Sequence, residues 1–206
     1  MPVRFHRCDL PSDGLCGDAV AIDTETLGLE IKRDRLCLVQ LSRADGDADV
    51  VQIAPGQTRA PNLESLLADP NVLKLFHFGR FDMAVLQHTF GVMPEPAYCT
   101  KIASKLARTY TDRHGLKDLA RELLGVELSK QQQTSDWGAE NLTEAQLAYA
   151  ASDVLYLHGL RERLDAMLVR EGRDHLARAA FAYLPHRVRL DLAGFAAMDI
   201  FSHGYP

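Results

Sequence analysis

The stretch Asp18-Ala19-Val20-Ala21-Ile22-Asp23-Thr24-Glu25 decides how this chain is read. Its apolar run has the character of a buried strand and ends on an acid. Side chains on a strand alternate between faces, so Asp23 and Glu25 project from the same one. Two carboxylates held side by side repel unless a cation sits between them. Working outward, Leu36–Leu41 reads as a second strand. Ala48–Ile53 reads as a third, after an Asp45-Gly46-Asp47 turn. The short connection between the first two predicts an antiparallel pair within a mixed sheet. Pro61 opens a short helix to about Ala68, as proline does at a first helical turn. Val72–Phe76 is a fourth strand, followed by a helix from about Arg80 to His88 and a short strand near Ala97–Cys99.

From Thr100 onward the apolar residues fall at helix spacing: Ile102, Leu106, Leu116, Leu119, Leu123 and Leu124. Gly125 follows as a C-cap. Residues 129–138 are polar and glutamine-rich and read as a loop. Thr143-Glu144-Ala145-Gln146 is a capping box, and it opens a long helix to about Glu171. A further helix runs past Gly172 to about Leu184, where Pro185 is expected to stop it. Strands first and helices after predict an α/β fold, a mixed central sheet flanked by helices with a helical C-terminal segment. The expected division is a catalytic domain over residues 1–172 and a C-terminal helix and tail over 173–206.

Composition sets the class. The chain has 206 residues, 47% hydrophobic and 25% charged, which is the balance of a globular protein. A domain of this size buries roughly 70% of its unfolded surface and needs no covalent staples. Residues 1–10 hold no apolar signal core and no run is long enough to span a membrane, so a cytoplasmic location is expected. Cys8, Cys16, Cys37 and Cys99 lack paired spacing, which argues against zinc or disulfides and for four idle thiols. The net charge of −5 opposes a broad grip on polyanions. Residues 101–121 are the exception, with Lys101, Lys105, Arg108, Arg113, Lys117 and Arg121 against Asp112 and Asp118. The plain reading of that stretch is a solvated helix face.

Two further motifs join the acid pair. Asp82 lies in the first helical turn after the fourth strand, within His77-Phe78-Gly79-Arg80-Phe81-Asp82. Tyr149 and Asp153 are four apart on the capped helix and share a face. Singly, each has an ordinary explanation: a solvent-facing acid pair, an acid complementing a helix dipole, a core tyrosine with a surface aspartate. In this order, in these contexts, they describe a site of hard oxygen ligands without histidine or cysteine, suited to Mg²⁺ or Mn²⁺.

Asp-x-Glu, Phe-Asp after a strand and Tyr-x-x-x-Asp on a late helix resemble the DEDD exonucleases of the tyrosine subclass, and above all the catalytic domain of ribonuclease D. Leu123–Leu128, Asp136-Trp137 and Leu142–Asp153 resemble that family's approach to its third motif. Ala148 stands where the histidine subclass would carry its histidine. The likeness covers residues 18–170 and implies a ribonuclease H-like fold and 3′→5′ hydrolysis to nucleoside 5′-monophosphates with two divalent ions. It implies that Asp23, Glu25 and Asp153 hold one ion, that Asp23 bridges to a second with Asp82 acting partly through water, and that Tyr149 orients the attacking water. It also implies a Leu29 wedge between the last two bases and a 3′-hydroxyl read by the Thr26 backbone and Glu25. Phosphate contacts are expected from Arg113, His114 and Lys117, and His77 is a further substrate-binding candidate beside the second motif.

The short segment past residue 170 and the Leu190–Phe201 tail resemble the compact bacterial branch called nanoRNase C. Members of that branch split RNA dinucleotides and assemble as rings, which implies a homo-oligomer, an octamer by that likeness. Phe78 departs from the small polar residue of many relatives and bears on contacts at the 5′ side. The rival enzyme readings are 3′ trimming of longer RNA and a DNA exonuclease. A catalytically idle nucleic-acid-binding or scaffold protein is the rival from another class. An idle site would leave carboxylate repulsion with nothing to offset it, and a binding module would want a basic surface.

Overall fold

The computed structural model describes residues 2–12, 17–129, 131–132 and 134–204. Cys16 and two residues of the glutamine-rich loop therefore lie outside the described residues. Of the remaining thiols, Cys37 and Cys99 are buried and Cys8 is exposed, all free.

Among the described residues the strands are β1 (Val3–Arg7), β2 (Ala19–Thr26), β3 (Leu36–Ser42), β4 (Ala48–Gln52), β5 (Leu73–Phe76) and β6 (Ala97–Cys99). They form one sheet in the order β1-β4-β3-β2-β5-β6. β2 and β3 pair antiparallel as expected, as do β3 and β4, while β1 with β4, β2 with β5, and β5 with β6 run parallel. β1 escaped the sequence reading because its alternation is thin: Val3 and Phe5 are flanked by Arg4, His6 and Arg7. Its edge position is fixed by charge instead. Arg4 donates to both carboxylate oxygens of Asp49 at 2.8 and 2.9 Å, and His6 meets Oδ1 at 2.8 Å.

The helices are α1 (Pro61–Ala68), α2 (Gly79–Phe90), α3 (Thr100–Ala107), α4 (Leu116–Leu119), α5 (Glu144–Leu155), α6 (Leu157–Arg170) and α7 (Asp174–Leu190), with π-helical turns at Ala120–Leu124 and Asp191–Phe195. One face of the sheet packs Val20, Ile22, Val39 and Leu41 on α1, α2 and the end of α7. Ala21 and Leu75 meet α3 and α6, and Leu38 meets Ala150 of α5. The alternation along β2 thereby puts Val20 and Ile22 on one face of the sheet and Ala21, Asp23 and Glu25 on the other.

Three expectations need correction. The long helix after Thr143 is two, because the chain turns at Tyr156 (φ −101°, ψ −5°). The turn lets α5 lie on β3 and β4 while α6 packs against α3 and β5. Pro185 does not end α7, which continues to Leu190. Proline costs a helix one hydrogen bond and some strain. Here Leu184, Pro185 and Val188 are all buried, so packing outweighs that cost. Finally, the basic stretch is not one solvated face. Arg108 is fully buried, bonded to Glu122, to Ser104 Oγ at 3.1 Å and to the Arg113 carbonyl at 2.8 Å.

Candidate active site

Three elements deliver the acids. β2 carries Asp23 and Glu25 on one face, opposite Gln40 and Leu38 of β3. Thr24 between them points the other way, and its hydroxyl donates to Asp82 Oδ1 at 2.7 Å. Asp82 reaches that position through a sharp entry into α2. Phe78 sits in the left-handed region (φ 68°, ψ 35°) as the residue before the helix. A Cβ on Gly79 would stand 2.7 Å from the Phe76 Cβ, so only glycine fits there. α5 then begins at Thr143, whose side chain accepts from the Gln146 amide while Gln146 Oε1 accepts from the Thr143 amide. Gln146 also donates to the Asp136 carbonyl at 3.1 Å. This ties the Asp136-Trp137 segment to the helix start. Trp137 packs its ring 6.0 Å from that of Tyr149.

Carboxylate oxygens of Asp23, Glu25 and Asp153 lie within 4.8 Å of one another. Asp82 is buried beside them. Burial and mutual repulsion push every one of these acids upward. Burial carries Glu25 to about 8, helped by Asp153 and Asp82. Asp82 and Asp153 each rise to about 7, again mainly through burial, with the Thr24 hydroxyl opposing at Asp82 and the Tyr149 phenol opposing at Asp153. Asp23 rises well above its ordinary value through burial, then through Asp82, Asp153 and Glu25. The Tyr149 phenol is pushed up by burial and by the Asp153, Glu25 and Asp23 charges, so it keeps its proton.

A cluster of this kind fits hard divalent cations: the donors are all oxygen, and the acids raise one another's affinity for protons where a cation would relieve them. Gln40, directly across from Asp23, adds an amide whose nitrogen and oxygen are both buried without a partner among the described residues.

The remaining expected contacts divide. Leu29 is 82% exposed in the turn after β2, free to meet a ligand. The Thr26 hydroxyl is engaged with the Gly28 carbonyl. His77 Nδ1 lies 2.9 Å from Thr100 Oγ1, whose own proton goes to the Phe76 carbonyl, so Nδ1 is the donor. Burial holds this imidazole at about 3, hence neutral. Arg113 is exposed, and His114 and Lys117 are half-buried. Arg113 and His114 lie between α3 and α4, Lys117 lies in α4, and none of them lines the cavities flanking Phe78. Arg80, Lys101, Lys105 and Arg187 line one of these cavities, of about 560 Å³, and Lys32 and Arg80 line the other. Arg80 and Arg187 both bind Asp191. Lys101 holds its ammonium 4.3 Å from the Phe78 ring centroid. Sequence periodicity could not single out these cations, since only the fold brings α2, α3 and α7 together.

Against known proteins, the 3′-5′ exonuclease family matches residues 9–169. Ribonuclease D of Gluconacetobacter diazotrophicus is 40% identical over 154 residues, 75% of this chain and 39% of that protein. The chain thus spans about two fifths of the length of the curated relatives it matches. Brucella melitensis NrnC with bound Mg²⁺ superposes with a TM-score of 0.96 at 61% identity, covering 99% of this chain and 100% of that one. Brucella melitensis NrnC bound to pGG gives a TM-score of 0.96 at 62% identity, with the same coverage.

Proposed function

This chain belongs to the 3′-5′ exonuclease family, and from that premise we propose that it degrades short RNA, dinucleotides above all, to nucleoside 5′-monophosphates. The observation that carries the reading is the approach of Asp23, Glu25 and Asp153 within 4.8 Å, with Asp82 buried alongside. Asp23, Glu25 and Asp153 would hold one Mg²⁺ or Mn²⁺, and Asp23 with Asp82 a second. Bound there, such ions supply hydroxide at neutral pH and neutralise charge on the leaving 3′ oxygen. The protonated Tyr149 phenol, fixed against Trp137, orients the attacking water. Glu25 and the Thr26 backbone take the 3′-hydroxyl, and Leu29 inserts beside the bases. Binding of Mg²⁺ and of pGG by the Brucella relative supports this assignment.

Lys101 and Lys105 are the cations we assign to the 5′-phosphate, in preference to Arg113, His114 and Lys117. They line the cavity next to Phe78 and, among the described residues, have no acidic partner. A substrate held at both ends in this way gains little from a third nucleotide. Self-association is part of the reading. Leu176, Phe195, Met198, Ile200 and Phe201 are each more than 40% exposed, and a second copy of the chain would cover these apolar side chains.

The test is incubation of the purified protein with Mg²⁺ or Mn²⁺ and 5′-labelled RNAs of increasing length from a dinucleotide upward, followed over time. Fastest cleavage of the dinucleotide, slowed by loss of its 5′-phosphate, is expected. Equal or faster cleavage of the longer RNAs at matched subsaturating concentration would favour trimming of longer RNA.

A further inference from the structure

Phe78 is costly where it stands. Its backbone is left-handed, a conformation that glycine or asparagine holds with less strain. The residue is 49% exposed, so burial does not repay that cost. Strain of this kind persists where function requires the side chain. Phe78 is also the wall between two cavities. On one side lies the cavity of Lys101, Lys105 and Tyr183. On the other is a cleft of about 420 Å³ that Phe78 shares with Leu29, Ile31, Phe81 and Leu192. The Lys101 ammonium sits over the ring. Lys101 lines only the first cavity and Leu29 only the second, so the ring's other side is left to the Leu29 cleft.

We propose that Phe78 is the stacking platform for the base on the 5′ side of the scissile bond, with Leu29 on the opposite face of that base. The inference rests on the exonuclease reading above and adds a specificity-determining residue to it. Glu25 and Thr26 take the 3′-hydroxyl on the β2 side of the Leu29 wedge. The base beyond the wedge then enters the cleft that ends on Phe78. Stacking accepts any base, because each offers a π-face. The Lys101 ammonium polarises the ring from behind and fixes its plane. An exposed aromatic between an aliphatic wedge and a fixed cation is thus a sequence-tolerant seat for one base.

The experiment uses the whole protein and 5′-phosphorylated dinucleotides. Phe78→Gly removes the ring and the backbone strain together. Its thermal midpoint should equal or exceed that of the parent, while KM for the dinucleotide rises about tenfold or more and kcat stays within about twofold. Phe78→Trp should restore KM. A dinucleotide whose 5′ residue is abasic should bind the parent and Phe78→Gly alike, erasing the KM ratio. Binding is followed independently by fluorescence quenching of a 5′ 2-aminopurine with Ca²⁺ in place of Mg²⁺. Quenching should be strong in the parent and in Phe78→Trp and weak in Phe78→Gly. An unchanged KM in Phe78→Gly, a KM ratio that survives the abasic substrate, or failure of tryptophan to restore binding would overturn the proposal. Failure of the exonuclease reading would show instead in the parent protein, as absence of dinucleotide cleavage.

Discussion

The hydroxyl of Thr24 donates to Oδ1 of Asp82 at 2.7 Å, joining two residues 58 positions apart in sequence. Alternation along β2 makes this possible. Asp23 and Glu25 face one way, and the residue between them faces α2. The acid pair and the third carboxylate are therefore positioned by a single strand and a single buried hydrogen bond.

Thr24→Val keeps the shape and removes that donor. Asp82 would then sit buried at about 7 or higher with less to hold its charge. A stability loss of about 1–2 kcal/mol is expected from denaturant unfolding. The acidic limb of the pH–rate profile should move to higher pH, since Asp82 must ionise to work. A limb that stays in place would show that Asp82 does not depend on Thr24.

Asp23→Ala, Asp82→Ala and Asp153→Ala should each abolish hydrolysis. None should unfold the protein, because each substitution relieves repulsion among buried acids. Circular dichroism and thermal scans in chelator check the fold, and product release from labelled RNA checks the rate. Full turnover by any of the three would remove that acid from the catalytic set.

The same repulsion predicts how stability varies with pH. Glu25, Asp82 and Asp153 have folded values of about 8, 7 and 7, above their unfolded values of 4.5, 3.8 and 3.8. Groups raised on folding contribute most below their unfolded values, and lose that contribution as pH climbs through the folded ones. Chelated protein should therefore lose thermal stability between about pH 4 and pH 8 on this account. Mg²⁺ should restore it, and more strongly at pH 8.5 than at pH 6, as ligation favours the ionised acids. Equal stabilisation at both values would mean that the ion does not bind these carboxylates.

The parts of the structure that sequence made legible are those where one local rule acts alone. Alternation gave β2 and the shared face of Asp23 and Glu25. The capping box gave the start of α5 and so the common face of Tyr149 and Asp153. Gly125 ends its turn in the left-handed region as a C-cap should. What stayed hidden depends on tertiary partners. β1 exists because Asp49 receives Arg4 and His6 across the sheet edge. α7 passes Pro185 because the core on either side rewards continuity. The Tyr156 turn exists to serve two different packing surfaces. Charge counting was the weakest guide, since Arg108 belongs to the core and Lys101 to a cavity, though both lie in one basic stretch.

Arg108 also sets a stability test. Its guanidinium is fully buried, and Glu122 is its acidic partner, one third exposed on its side chain. Breaking a fully buried pair costs about 3–5 kcal/mol by leaving a charge uncompensated. Glu122 keeps some water, and Ser104 and the Arg113 carbonyl still accept from Arg108. Glu122→Ala should then cost about 2 kcal/mol in denaturant unfolding. A loss under about 0.5 kcal/mol would place the pair among ordinary surface bridges.

Tyr149→Phe separates positioning of water from metal binding. The phenol is held protonated by burial and by three acids around it, so under the proposed mechanism it would act as a neutral hydrogen-bonding group and not as an anionic ligand. Its ring stays packed against Trp137 when the hydroxyl is removed. The fold and the acid cluster should therefore survive in Tyr149→Phe. The rate should fall by about 10²-fold in kcat, the scale of losing a positioned hydrogen-bonding or acid–base group. KM and the Mg²⁺ concentration for half-maximal rate should change little, measured by calorimetry as well as by turnover. Asp153 gives the internal check. Losing the phenol removes what opposes its upward shift, so the acidic limb of the rate profile should move slightly upward in pH. A fall in metal affinity as large as the fall in kcat would make Tyr149 part of the metal site instead, and an unchanged kcat would remove it from the reaction altogether.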